Sequence, residues 1–492
     1  MTTKPGKSNS NINRHTSKSS IVSLRKERSS HGTRERRSSA QSIEEDFAAL
    51  FQKYCRQFQT WITPKVVVIP QEPPTGNFPE LLYEYPQNYI KNKEYKVVSK
   101  NIQSFPQVLI IFDNYEIQTV LNTVILKHFL VDRSMLIALR KSFQKFDTVG
   151  TLKLEFCGLT NTDLRTLKTI LQKNEVITDL SINGNPNRFQ NFYILLKNTK
   201  LKHASMRFCQ INDRGVHHIA LQLNSFSEQS LLSLNLSSNF ISDNGIVSIA
   251  SFLRSNRKLI SLNLADNWIT NIGCATLMNV FIKFALTHEE IVIRRHRIMK
   301  FLFKKANLME IQKSKLLEGL DTQSLLSYNK RLSKDSANKG GRDSTSRKSS
   351  KVNIQKSTEI DMQLVEEMVE AEIGSDEHPF VKDSYPEDNE IYCKGNVKLV
   401  HLNLAYNKIT VSGLEQIIGM LQYQKVVINH SQEGFSHIIL EGNLFPESCS
   451  EIDTINELLK ESFARRFSST SHESRRNSKR KKSGLSRVSI TI

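Results

Sequence analysis

The chain has 492 residues, 38% of them hydrophobic, and a formal net charge of +19. The excess is uneven: residues 1–40 hold ten Lys/Arg against two Asp/Glu, and residues 464–492 hold nine against one. The remainder is nearly neutral, which argues against a folded surface built for nucleic acid and assigns the charge to two arms. Their candidate partners are nucleic acid, the least expected of the three, acidic lipid or acidic protein tails such as those of tubulin. The N-terminus lacks the apolar core of a secretory signal, and no apolar run is long enough to span a bilayer. Six cysteines with no close C-x-x-C pair read as reduced thiols of an intracellular protein.

Residues 1–40 are rich in Ser, Arg and Lys and carry too few apolar side chains to bury a core, so they read as a disordered arm. Order is expected from Ser42, where Ser42-Ile43-Glu44-Glu45 fits a capping box. Phe47, Leu50, Phe51, Tyr54, Phe58 and Trp61 then share one helical face up to Pro64. That face either packs on the edge of the next domain or docks a partner. Val66 to Ile69 and Val108 to Phe112 read as strands, and the proline-rich 70–86 as a loop. Val120 to Leu130 and Met135 to Phe146 read as helices. Residues 41–149 are thus expected to form a helical flank that caps the repeats beginning at residue 150.

From 150 to 284 the chain repeats itself. Leu234, Leu236, Asn239, Ile241 and Gly245 recur as Leu262, Leu264, Asn267, Ile269 and Gly273, a shift of 28 throughout. L-x-L-x-x-N at a period of roughly 20–29 is the leucine-rich repeat signature. The alternating leucines place a short strand with one buried face. The asparagine stands where the chain leaves the strand and can satisfy backbone groups buried in the turn. Ile246, Ile249, Ala250 and Leu253 follow at helical spacing. Leu152, Leu154 and Leu159 begin the series with Cys157 in the asparagine place. Leu180 and Ile182 come next with Asn185, but Pro186 makes that copy irregular. Ala204, Met206, Ile211 and Gly215 form another copy with Cys209.

Residues 285–396 break the register. Thr287-His288-Glu289-Glu290 fits a second capping box, and a long basic helix is expected after it. Residues 294–351 hold sixteen Lys/Arg against five Asp/Glu, and residues 359–390 hold one against twelve. Either the two halves attract and fold back on each other, loosely and with salt sensitivity, or they form a solvated linker and ignore each other. Between 397 and 463 the repeat returns as Leu402, Leu404, Asn407, Ile409 and Gly413. It ends in a degenerate copy, Ile438, Leu440, Asn443 and Phe445. Residues 464–492 read as a disordered basic tail. Its Ser474 to Lys482 run suits an import signal, a polyanion contact or a solubilising tail. Arg-Arg pairs ahead of Ser38, Ser468 and Ser478 suit basophilic kinases.

The fold expected is therefore an α/β leucine-rich-repeat solenoid, a horseshoe with parallel strands on its concave face and helices on its convex face. It carries disordered tails and one charged insertion. No phosphate loop, metal set or catalytic triad stands out, so neither an enzyme nor a cofactor is expected. His217-His218 on a repeat helix lacks the i, i+4 spacing of a metal pair. The informative surface is the concave face. Lys153, Ser181, Ser205, Asn235, Asn263 and Asn403 form one outward row, and Glu155, Asn183, Arg207, Ser237, Ala265 and Ala405 form the next. His401 and His437 should face the same side. The asparagines can hydrogen-bond along the ladder, or a bound peptide can use their amides.

The 28-residue repeats resemble the ribonuclease-inhibitor class. More narrowly, Phe284-Ala285-Leu286-Thr287-His288-Glu289-Glu290-Ile291-Val292-Ile293-Arg294-Arg295 resembles the leucine-rich repeat-containing protein 71 family. So do Leu399-Val400-His401-Leu402-Asn403-Leu404-Ala405-Tyr406-Asn407-Lys408-Ile409-Thr410 and the charged stretch between the two. The resemblance implies a non-enzymatic scaffold that binds protein partners, in relatives often associated with motile cilia and flagella. The cytoplasm, the cytoskeleton or an axoneme is the location it implies. Two rival readings are a GTPase-activating regulator of the Ran type, with Arg207 as its arginine, and salt-dependent polyanion binding through the arms.

Overall fold

A computed structural model describes residues 39–68, 106–114, 119–224, 230–335, 362–427, 434–446 and 448–464. The basic arm up to residue 38, the proline-rich 70–86 and the tail from 465, with the kinase and import motifs, lie outside the described residues.

The flank comprises α1 (Ser39–Gln57), β1 (Lys65–Val68), β2 (Gln107–Asn114), β3 (Thr119–Lys127) and α2 (Arg133–Ser142). The repeats follow as β4 (Thr151–Glu155), α3 (Asn161–Lys173), β5 (Asp179–Ser181), β6 (His203–Ser205), α4 (Asp213–Leu223), β7 (Ser233–Asn235), α5 (Asp243–Ser255), β8 (Ser261–Asn263) and α6 (Asn271–Met278). Between them, a short 3-10 turn at Phe192–Leu195 replaces a helix after β5. The interruption holds β9 (Phe284–Ala285), α7 (His288–Asp335), α8 (Met362–Ile373), α9 (Pro379–Lys382), β10 (Ser384–Glu387) and β11 (Glu390–Cys393). β12 (His401–Asn403), α10 (Val411–Val427), β13 (His437–Ile439) and a helix over 450–464 are the last described elements.

Ten strands make one sheet in the order β1-β2-β3-β4-β5-β6-β7-β8-β12-β13. β2 meets β3 antiparallel, and from β3 onward every pair is parallel. Register keeps like over like: Leu180, Ala204, Leu234, Leu262, Leu402 and Ile438 stand side by side. Each is an inward residue that a single coil cannot cover, so neighbouring coils bury one another. Leu234, Leu236, Leu262, Leu264, Leu402 and Leu404 are essentially inaccessible to solvent. This is a leucine-rich-repeat solenoid, with helices backing a mostly parallel sheet.

β8 pairs directly with β12, Leu262 beside Leu402. Asn407 follows Asn267 by 140 residues, five periods, yet the described residues between β8 and β12 add no strand to this sheet.

Two expectations for the flank need correction. Val120 to Leu130 is not a helix. Its first eight residues lie in β3, because Val120, Thr123, Val124 and Ile125 are β-branched and the strand is paired on both edges, by β2 and β4. Its apolar run is buried nearly without alternation, which a helix and a central strand share in sequence. The first helix also begins at Ser39 rather than Ser42, and it stops at Gln57. Phe47, Phe51 and Cys55 are buried, largely against α2, whereas Trp61, beyond the helix end, is 85% exposed.

The interruption does fold back. Lys305 on α7 meets Glu366 and Glu370 on α8 at 2.8 and 2.9 Å, and Arg297 meets Asp376 at 3.2 Å. Val365 and Val369 of α8 are fully buried, so an apolar seam accompanies the ion pairs. At its base, β11 pairs with β9 and with β10 in a small antiparallel sheet. Arg254 on α5 clamps that base. It donates to both carboxylate oxygens of Glu290 at 2.6 Å and to the Ala285 carbonyl at 2.8 Å, and it lies 3.8 Å over the Phe284 ring.

Candidate protein-interaction face

Each coil turns sharply out of a strand of three to five residues while its backbone stays buried, so the turn needs internal partners. Asn239 supplies them. Its Oδ1 accepts from the N–H groups of Cys209 and Ile211 in the preceding coil, at 3.1 and 3.0 Å. Its Nδ2 donates to the carbonyls of Met206, Leu236 and Ser237. Asn185, Asn267, Asn407 and Asn443 make equivalent bonds across their own coil boundaries. Cys157 and Cys209 occupy the same place, and each thiol donates at 3.3 Å to a carbonyl one coil back, Leu126 and Ile182. Burial pushes both thiols up to about 12. As buried thiols they fill the asparagine's place with a small donor to the preceding coil.

A second ladder runs past the helix starts. The Asp243 carboxylate accepts from the backbone N–H and the hydroxyl of Thr270 and from the N–H of Gly273, all in the next coil. Asp213 accepts from the N–H and hydroxyl of Ser242, whereas Asn271 accepts from the Thr410 N–H through Oδ1 and donates through Nδ2 to the Thr410 hydroxyl. This explains the repeated glycine. A Cβ on Gly273 would lie 2.3 Å from Asp243 Oδ1, and one on Gly245 2.5 Å from Asp213 Oδ1. Gly215 and Gly413 are crowded likewise by Gln190 and Asn271. The glycine makes room for the preceding coil's acceptor.

On the concave face the two halves differ. In the first coils Glu155 is the hub. Lys127 contacts it at 2.8 Å, and Ser181 and Asn183 donate to it at 2.7 and 3.2 Å. Asn183 in turn accepts from the Ser205 hydroxyl and the Arg207 N–H. Burial alone would raise the Glu155 pKa, but hydrogen bonds from Lys127 and Ser181 outweigh it and hold the carboxyl below its ordinary value. Lys153 stands half-buried beside this network. Further along, Ser237, Ala265 and Ala405 are buried and small. Asn235, Asn263 and Asn403 do not bond to one another along the ladder. Each Oδ1 accepts from the N–H two residues on, at Ser237, Ala265 and Ala405. A short side chain reaches its own turn at less entropic cost than a neighbour a strand away. His401 and His437 stack at 4.9 Å and, with Asn263 and Asn403, line a shallow depression at the far end of this face.

Where the strands end, the horseshoe carries an aromatic rim that sequence reasoning missed. Phe156, Phe208, Phe240 and Trp268 are 46, 38, 43 and 50% exposed. They lie in coils one, three, four and five, with Tyr406 following in coil six. Phe156 faces Phe208 at 6.5 Å, and Phe240 faces Trp268 at 5.2 Å. Gly184 permits the first pairing, since a Cβ there would sit 2.2 Å from the Phe156 ring. Phe156, Phe208 and Tyr406 adopt φ of 54°, 52° and 55°, a left-handed conformation that bulky residues rarely take. Arg207 lies over Phe208 and Lys408 over Trp268. The signal was present in the sequence, since every one of these aromatics stands immediately before or after the repeat's Asn or Cys.

Among the described residues no group of three or more His, Cys, Asp or Glu is placed to hold a metal ion. No helix there is long and apolar enough to cross a membrane. His217 and His218 sit side by side on α4. The Leucine Rich repeat family matches the chain at residues 228–250, 255–278 and 395–417, which are coils four, five and six. No curated protein matches it.

Proposed function

We propose that the chain is a non-enzymatic scaffold whose protein partner lies across the concave sheet and closes over its aromatic rim. The observation that carries this is the row Phe156, Phe208, Phe240 and Trp268. These are large side chains left open to solvent beside the repeat's Asn or Cys in coils one, three, four and five. Aromatic residues bury much area at low entropic cost and anchor interfaces. Beside them Asn235 and Asn263 offer amide donors of the kind that read a peptide backbone. Proximity labelling in the native cell would identify the partner, and purified partner would then be titrated with the full chain. The expected result is loss of at least about tenfold in affinity for Phe240→Ala/Trp268→Ala, an anchor-sized effect. Unchanged affinity would remove the rim from the interface.

The resemblance at 284–295 and 399–410 supports a finer reading, a component of an axoneme or another cytoskeletal assembly. In that reading the basic arms meet acidic tails such as tubulin's. Microscopy of the tagged chain tests the location, and microtubule co-sedimentation at low and high salt tests the arms. The activator reading gains nothing from Arg207, whose guanidinium is drawn over Phe208. GTP hydrolysis by small GTPases is expected to be the same with the wild-type chain and with Arg207→Ala.

A further inference from the structure

Ile291 to Met309 contains six Lys/Arg and no Asp or Glu. On α7 these cations are sorted by face. Arg294 donates to Ser384, Arg297 meets Asp376, and Lys305 meets Glu366 and Glu370, all on the side packed against the rest of the interruption. Arg295, Lys300 and Lys304 are exposed on the other side. Between them lies a second apolar stripe. Val292, Met299 and Phe303, at i, i+7 and i+11, with Leu302 adjacent, are 50, 51, 65 and 51% exposed. α7 packs on α8 and α9 by its other face.

A helix with one apolar stripe covered and a second open, flanked on both sides by cations, has the chemistry of an interfacial helix. A second copy of the chain would set the same cations against each other. Nucleic acid would leave the apolar stripe wet. A planar anionic surface accommodates both features: the apolar side chains enter the headgroup–acyl boundary and the long basic side chains reach up to the phosphates. It needs no matching groove, and the chain's net charge of +19 favours approach to it. We propose that the outer face of α7 is a docking surface for anionic lipid bilayers, separate from the concave face and its rim.

The test is flotation of the full-length chain with phosphatidylcholine vesicles, with and without phosphatidylserine. Wild type should float only with phosphatidylserine present. Met299→Glu/Phe303→Glu should lower the bound fraction at least about tenfold, Lys300→Glu/Lys304→Glu should weaken it, and Phe303→Leu should retain it. All four positions are exposed, and circular dichroism with thermal unfolding would verify the fold of each variant. The proposal is overturned if wild type does not bind these vesicles, or if Met299→Glu/Phe303→Glu binds as wild type does, which would assign the attraction to the basic tails. It is also overturned if vesicles are ignored while calcium-loaded calmodulin, an apolar groove with an acidic rim, is bound through Phe303.

Discussion

Asn239 and Arg254 hold two regions of the molecule by opposite means. Asn239, buried in the solenoid, is neutral and closes five hydrogen bonds, three to the preceding coil and two within its own turn. Arg254, half-shielded at the base of the interruption, spends its charge on Glu290 and its flat face on Phe284. The neutral amide suits a place with no water, because it has both donors and acceptors and carries no charge to desolvate. The guanidinium suits an edge, where solvent still softens the cost of burying charge. The coils should therefore unfold as one cooperative array, and the interruption should open by itself.

The sharpest break of this contrast is Asn239→Ala. It removes the partner of the Cys209 and Ile211 N–H groups and of the Met206 carbonyl, while the Leu236 and Ser237 carbonyls keep bonds from Asn267 and Phe208. The substitution should cost about 3–5 kcal/mol, read as a lower urea midpoint for the whole array. Arg254→Ala should cost about 2–3 kcal/mol, less than a deeply buried pair because both partners keep some solvent contact. Its effect should be local: faster hydrogen exchange in β9, β11 and the start of α7, with the protection of β5 to β8 unchanged.

Gly273→Ala should cost about 1–3 kcal/mol, because Asp243 Oδ1 occupies the space a methyl needs. Gly419→Ala on α10, where a Cβ meets nothing, should be neutral or gain up to about 1 kcal/mol. Equal effects at the two glycines would refute the spatial explanation.

The smallest expected effect is a pH response confined to the interruption. Burial first, then repulsion by Arg297, depresses the His378 pKa from 6.5 to about 4. Its Nδ1 accepts from the Phe380 N–H at the start of α9. The unfolded state takes up a proton more readily than the folded one. Stability from this group is therefore present above pH 6.5 and declines as pH falls toward about 4. Hydrogen exchange of α9 and β10 should quicken across that window in wild type and lose the response in His378→Asn.

How much could be read without coordinates depended on how local the cause was. The repeat pattern of leucine, asparagine and glycine reports strand, turn and helix start within one coil, so the solenoid was legible from Leu234 to Gly273. The flank was less so. The run from Val120 suits a helix or a central strand equally, and only pairing with β2 and β4 decides between them. On the concave face the residue types were legible and their bonds were not. Asn263 has several acceptors and donors within reach, and backbone geometry selects the one two residues along its own chain.

The sequence by itself determined a stack of coils, because inward leucines at a fixed period must be covered by a neighbour. It also showed a charge reversal within the interruption. Only the tertiary structure decided that β12 lies beside β8, that three of the six cations between Ile291 and Met309 turn inward and three outward, and that the aromatics flanking the repeat's Asn or Cys line up into a rim. Each of these depends on which distant segment is adjacent in space, and a periodic pattern carries no information about that.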